Sequence, residues 1–258
     1  MNSKVIELKT YKRKNTKELA EEFYNRAFYS IYTDEKIKFY TMAISNEPKH
    51  ENAYYNRAIV FKGLKQYNMA IKDFTKAIEL NPNNKDAHNG RAVVYYEIKE
   101  YDKAIQDYDK IIELDSIDEN AYFNRGLAHK MQKDYENTIR DFTKVISLEP
   151  EDEEAYYNRG IIYYALNDFD RAISDYSKAI ELNDEYESAY NNRGVVFYQL
   201  GKYEKAIDDY IKVIKLNPNN PEVYYNMALV CKQKNMCNTI CSDYKKCIEL
   251  DLKSRGSK

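Results

Sequence analysis

The sequence predicts an all-α solenoid of antiparallel helix pairs, and two observations carry that expectation. A 34-residue frame opens at Ala53 and restarts at Ala87, Ala121, Ala155, Ala189 and Val223. Self-similarity at a fixed period of this length marks stacked supersecondary units that share no single central core. Within each copy, apolar residues recur at spacings of three and four, which is the face of a helix. The expected organisation is a flexible tail over 1–14, a repeat array over 15–252, and a tail over 253–258. The copies fall at 22–52, 53–86, 87–120, 121–154, 155–188, 189–222 and 223–252.

Taking the second copy first, Tyr54, Ala58, Phe61 and Leu64 lie on one face of a first helix. A break follows at Lys65 to Tyr67. Ala70, Ile71, Phe74, Ala77, Ile78 and Leu80 then mark a second amphipathic helix, which stops near Asn81 and Pro82. An acid or amide near the start of each second helix (Asn68, Asp102, Glu136, Asp170, Glu204, Asn238) is suited to cap its free N–H groups. Small residues recur at Ala58, Ala92, Gly126, Gly160, Gly194 and Ala228, where they allow close helix approach beside aromatic rings such as Phe74, Tyr108 and Tyr176.

The first copy is shorter. Asn25, Arg26 and Ala27 align with Asn56, Arg57 and Ala58 at an offset of 31, whereas Ala43 and Pro48 align with Ala77 and Pro82 at 34. Three residues are missing, and a tighter loop near Tyr32 to Glu35 is the expected result.

Composition narrows the function classes. Of 258 residues, 32% are charged and the formal net charge is -2, so no basic excess points to nucleic acid. No apolar run suggests a signal peptide or a membrane span, and a cytoplasmic location is expected. No Gly-rich phosphate loop, nucleophile elbow or carboxylate pair is present, and neither an enzyme nor a cofactor is expected.

The aromatic at Tyr54, small Ala58, aromatic Phe61, Ala70, Phe74, Ala77 and Pro82 resemble the tetratricopeptide repeat pattern in order, and the register holds through six copies. The Asn-Arg-Gly runs resemble a subtype of it. The resemblance implies a right-handed superhelix whose first helices line a concave groove, and a role in binding proteins. At the positions of the chaperone-tail clamp used by some members, this chain has residues such as Tyr55 and Ile59, so binding of heat-shock chaperone tails is not expected.

Arginine occupies a site where the family usually carries leucine: Arg26, Arg57, Arg91, Arg125, Arg159 and Arg193. Asp73, Asp107, Asp141, Asp175, Asp209 and Asp243 recur on the second helices. The expected pairing is within each copy, Arg57 with Asp73 through Arg193 with Asp209. Arg26 is then left alone because Phe39 holds its partner site, and Asp243 because Met227 does. A buried ion pair that fixes register is the simpler reading. An anion-binding row is the alternative, since guanidinium forks fit carboxylate or phosphate.

Beside the arginines run Asn25, Asn56, Asn124, Asn158, Asn192 and Asn226, interrupted by Gly90. The family's groove lies at this position, and a row of amides there suits the backbone of an extended peptide. It resembles the asparagine ladders of kinesin light chain and of the repeat domain of O-GlcNAc transferase. Solvated or locally bonded amides are the competing reading. Tyr55, Tyr157, Lys62, Tyr96, Lys130, Tyr164 and Tyr198 complete the expected peptide-binding set, with ordinary repeat packing as the alternative for the rings.

Cys231, Cys237, Cys241 and Cys247 all fall in the last copy, at positions that pack in other copies. Buried reduced cysteines are expected, with zinc or a disulfide as alternatives and no metal assigned. His88 and His129 replace aromatic residues and His50 lies in a connection, so no catalytic set is expected. The sequence thus predicts a non-catalytic scaffold that takes a partner's extended segment in its groove. An adaptor working through its convex face or ends is the alternative, and RNA binding the weaker third. The last hairpin has no capping helix after it, and weak self-association through that face is expected.

Overall fold

The computed structural model describes residues 15–233. The chain divides into two compact units, Met1–Ala121 and Tyr122–Lys258. Among the described residues both are built from helices alone. The first unit holds α1 (Thr16–Tyr29), α2 (Thr33–Asn46), α3 (Glu51–Gly63), α4 (Tyr67–Leu80), α5 (Lys85–Glu97) and α6 (Tyr101–Leu114). Next come α7 (Glu119–Met131), α8 (Tyr135–Leu148), α9 (Glu153–Ala165), α10 (Phe169–Leu182), α11 (Glu187–Gln199), α12 (Tyr203–Leu216) and α13 (Pro221–Gln233). Within the first unit α1 packs on α2, α3 on α4 and α5 on α6, and α3 also touches α5. Within the second, α9 pairs with α10 and α11 with α12, and α11 touches both α9 and α13. The odd-numbered helices of each unit therefore form one layer and the even-numbered helices another.

The link inside each hairpin has a physical signature. Lys65, Lys99, Lys133, Asn167 and Gly201 take positive φ, between 57° and 69°, just beyond the end of the odd helix. The next N–H then turns back to a helix carbonyl five residues earlier, as from Gln66 to Phe61, Glu100 to Tyr95 and Asp168 to Tyr163. These bonds satisfy carbonyls that the helix end would otherwise leave open.

The first hairpin differs, and not as the sequence suggested. Its link is still three residues long, Ser30 to Tyr32, so the deletion has not tightened the loop. Instead α1 stops at Tyr29, the counterpart of Val60, and the last turn and the positive-φ residue are gone. Ser30 takes over the junction. Its hydroxyl accepts the Tyr32 N–H at 3.1 Å and donates to Glu35 at 2.8 Å.

The expected caps of the even helices also need correcting. Asn68, Asp102, Glu136, Asp170 and Glu204 stand at the second residue of each helix, inside it, and Asn238 lies outside the described residues. Side-chain caps come instead from Asp134, which accepts the Asn137 N–H, and Asp168, which accepts that of Arg171, each at 3.2 Å. Gln66, Glu100 and Lys202 occupy the same position and make no side-chain cap bond. The acids inside the first turn still oppose the positive helix end.

Each core lies between the two helix layers. Phe74, Tyr108, Phe142, Tyr176 and Tyr210, one ring per copy, are all but fully buried. They lie directly on the backbone of the odd helix: a Cβ added at Gly194 would stand 2.6 Å from the Tyr210 ring. Burial pushes the Tyr108, Tyr176 and Tyr210 phenols well above their ordinary value.

Successive hairpins are clamped at their connections. Glu51 accepts from Asn81 and Asn84 at 3.1 and 2.5 Å, and Glu187 from Asn217 and Asn220 at 3.1 and 2.6 Å. In the third copy the polarity is reversed, with Lys85 donating to Asp115 at 2.7 Å and to Asp118 at 3.3 Å. The whole three-residue set has changed sign together.

Candidate functional site

The arginine row is engaged within the protein. In all five couples, Arg57–Asp73, Arg91–Asp107, Arg125–Asp141, Arg159–Asp175 and Arg193–Asp209, Nε donates to Oδ2 and Nη2 to Oδ1 at 2.6–2.9 Å. The aspartates are buried, Asp141 to 1% exposure. A third bond escaped the sequence reading. Nη1 reaches back to a hydroxyl on the preceding even helix, from Arg57 to Thr41, Arg91 to Thr75, Arg159 to Thr143 and Arg193 to Ser177, at 2.8–3.0 Å. Rings flank the guanidinium as well, Arg159 lying 5.8 Å from both Tyr156 and Tyr163. A fork with its three faces occupied offers little to an outside anion. Burial works against the charges of Arg91 and Arg159, and the bonds to Asp107 and Asp175 more than offset it, holding both guanidinium groups above their ordinary value. At Asp209 the balance differs: burial pushes its carboxyl up against the pull of Arg193.

Arg26 is not left alone. Its Nη2 donates to Glu22 at 2.7 Å, and Phe39, which stands where the aspartate would be, lies 5.9 Å beneath the guanidinium. A ring face has replaced a carboxylate as the partner. Asp243 lies outside the described residues, as do Cys237, Cys241 and Cys247 and the stretch expected to form the second helix of the last copy. Cys231 is buried at 1% exposure among Phe197, Tyr210 and Val230.

The asparagines are bonded between copies. Asn56 donates to the Tyr24 hydroxyl at 3.0 Å, Asn192 to that of Tyr157 at 3.2 Å, and Asn226 to the Asn191 amide oxygen at 3.1 Å. The acceptor in each case is the residue just before the asparagine of the preceding copy. Where that residue is Phe123, the pattern changes. Asn158 keeps the bond to the carbonyl four residues back, Glu154 at 2.9 Å, as Asn56 does to Asn52, and its oxygen accepts from Lys130 at 2.6 Å. Asn25 is exposed and Asn124 half-buried. Gly90 has its own reason, since a Cβ there would stand 2.5 Å from the buried Phe74 ring.

The expected aromatic residues pack on their own hairpins. Ring centroids of Tyr55 and Phe74 are 5.9 Å apart, Tyr96 and Tyr101 5.4 Å, Tyr164 and Phe169 6.1 Å, and Tyr198 and Tyr203 6.0 Å. Tyr157 lies between Tyr176 and Tyr186, at 5.9 and 4.9 Å. Each keeps one side half-exposed on the odd layer, as does Lys62. In the second unit Tyr164 and Asn192 line a cavity of about 240 Å³ together with Ile161, Tyr176 and Val195. Ile161 and Val195 were not picked out from sequence, and Tyr176 only as a packing ring, since an apolar residue on a helix face looks the same whether it lines a core or a pocket. One helical turn from Ile161, Asn158 holds the Lys130 ammonium. Burial pulls the Lys130 ammonium below its ordinary value.

Family models for the tetratricopeptide repeat match residues 51–84, 86–117, 119–152 and 142–174, and a further TPR repeat model matches 161–201 and 196–235. Together they run from 51 to 235 with gaps only at 85 and 118, well over half of the 258 residues. The chain belongs to the tetratricopeptide repeat family. Among solved tetratricopeptide repeat structures, one from Parabacteroides merdae is similar with a TM-score of 0.69 at 18% identity, covering 90% of this chain and 93% of that one. MamA is similar with a TM-score of 0.62 at 25% identity, over 64% of this chain and 96% of its own. YrrB, described as a TPR protein with an unusual peptide-binding site, has a TM-score of 0.62 at 20% identity, over 72% and 96%. No curated protein sequence matches the chain. Tetratricopeptide repeat proteins are generally non-catalytic scaffolds, and the fold suggests a protein–protein interaction role. No described helix is long and apolar enough to cross a membrane.

Proposed function

We propose that this tetratricopeptide repeat protein is a non-catalytic scaffold that binds an extended segment of a partner protein on its odd-helix layer. The observation that carries the reading is in the second unit, where Tyr164 and Asn192 line one cavity with Ile161 and Val195. An apolar hollow edged by the Asn192 amide and the rings of Tyr164 and Tyr176 takes a side chain and leaves polar atoms for the backbone on either side. Asn192 donates to the Tyr157 hydroxyl at 3.2 Å and also bonds Tyr176, which fixes its amide at the edge of the hollow. The arginines are excluded from the site by their own bonds.

The decisive experiment is partner capture with the double variant Tyr164→Ala/Asn192→Ala, checked for retained helicity by circular dichroism. Capture should fall at least tenfold, on the scale of about 1–2 kcal/mol for each anchor removed. Undiminished capture by the folded variant would refute the reading.

A second reading has one specific observation behind it. Phe28, Tyr29, Ile31 and Tyr32 are all exposed around the first link, Ile31 to 84%, and such a patch suits docking through the end of the array. Replacing Tyr29 and Ile31 by serine would abolish capture on that reading and spare it on the first.

A further inference from the structure

Outside the odd-layer site, one group in the first unit has a buried polar atom with nothing to bind. His50 precedes α3 and is 8% exposed. Its Nε2 is buried and has no hydrogen-bond partner among the described residues. The nearest charge is Glu21 Oε1 on α1 at 3.6 Å, too long for a hydrogen bond. Glu47, directly after α2, brings a third ligand atom, and the nitrogen and both carboxylate oxygens lie within 4.8 Å of one another. Tyr24 packs on the imidazole at 4.9 Å between centroids and steadies the ring. The three donors come from three different segments, so no ligand motif appears in the sequence.

We propose that Glu21, Glu47 and His50 form a binding site for a divalent zinc ion. Zinc takes imidazole nitrogen at about 2.0–2.1 Å and carboxylate oxygen at about 2.0–2.2 Å in a tetrahedron. Those bond lengths set neighbouring ligand atoms roughly 3.2–3.6 Å apart, a spacing His50 and Glu21 already have. Glu47, whose carboxylate oxygen lies within 4.8 Å of the other two atoms, has to close in to complete the set. Two carboxylates balance the charge of the ion, and imidazole with carboxylate oxygens is a donor set that a borderline cation such as zinc accepts. The exposed side of Glu21 leaves the fourth position to water and gives a way in.

Binding requires the imidazole proton on Nδ1. That atom now accepts the Ala53 N–H at a long 3.3 Å, and this contact is given up on binding. The Ala53 N–H keeps its second acceptor, the His50 carbonyl, at 3.1 Å. Two N–H groups then face each other, which weakens the site. The bound ion would tie α1, the end of α2 and the start of α3 together across the shortened first hairpin.

The test is a titration of the full chain with zinc chloride, followed on the imidazole nitrogens by NMR. The chain has three histidines, so His50 is assigned by His50→Gln. Zinc should shift the His50 Nε2 signal to a metal-bound position and move its proton to Nδ1, leaving His88 in place. Glu21→Gln/Glu47→Gln changes two side chains that are not buried, and it should weaken the response at least tenfold without lowering the metal-free melting temperature. A His50 ring that does not respond to zinc, or one that responds equally in the double variant, overturns the site. Zinc held elsewhere leaves this ring unmoved and counts as the first of those outcomes.

Discussion

Arg159 grips Asp175 through two parallel hydrogen bonds, each 2.8 Å long, while its third nitrogen reaches Thr143 sixteen residues in the other direction. One side chain on α9 thus joins its own partner helix to the helix before it. Asp175→Ala should cost about 3–5 kcal/mol, because it leaves a half-buried guanidinium with a neutral hydroxyl as its remaining hydrogen-bond partner. Replacing both, as Arg159→Met/Asp175→Leu, should cost far less. Urea titrations of the two variants give the comparison, and equal losses would contradict a buried pair.

The positive-φ links offer a backbone test free of packing. Lys65 and Lys99 hold the left-handed conformation that costs a side-chain-bearing residue about 1–2 kcal/mol. Lys65→Gly and Lys99→Gly should each stabilise the protein by roughly 0.5–1 kcal/mol. Gly201→Ala should destabilise it by a similar amount, although nothing lies within 4 Å of the added methyl group. Thermal melts that moved all three in one direction would exclude the backbone explanation.

Acid should loosen α8 and α10 through their caps. The hydrogen bond from Asn137 holds the Asp134 carboxyl below the usual carboxylate range, and the bond from Arg171 does the same for Asp168. A carboxyl with a depressed folded value contributes stability above its unfolded value, about pH 4, and loses it as pH falls through the lower folded one. The melting temperature should therefore drop below about pH 4, and Asp134→Ala should already reduce stability at pH 7, by about 1 kcal/mol, while flattening the acid limb. Asp209 works in the opposite sense, because burial favours its protonated form in the folded state, so the fall is partly offset.

Restoring the missing amide should not help. Gly90→Asn adds a side chain 2.5 Å from the Phe74 ring, and overpacking of about 1–3 kcal/mol exceeds the few tenths gained in helix propensity. A more stable Gly90→Asn variant would show that Phe74 can move aside.

What the sequence made legible followed from local periodicity. The helices and the sixteen-residue step from each arginine to its aspartate are visible because identical copies act as an internal alignment. What it hid depends on where atoms meet. The deletion shortened α1 rather than the loop after it: taking three residues from a three-residue link would leave no turn, whereas a helix can end one turn earlier. The asparagine row itself was legible, but not its bonds to the preceding copy, from Asn56 to Tyr24 and from Asn226 to Asn191, which depend on an acceptor one copy away. The hydroxyl partners of the arginines, three threonines and a serine, sit at exposed or half-exposed helix positions and carry no signal alone. Glu21, Glu47 and His50 meet only when three segments are folded.

The bonds that tie one copy to the next within the second unit, from Lys130 to Asn158, Asn192 to Tyr157 and Asn226 to Asn191, span only 28 to 35 residues. Chain entropy lost in closing such short loops is small and nearly the same at every step. Folding is then expected to be fast and to spread from whichever hairpin forms first, since no late, distant contact has to be found. The same arithmetic makes the copy a unit of inheritance: duplicating or excising 34 residues leaves every remaining neighbour at its accustomed separation.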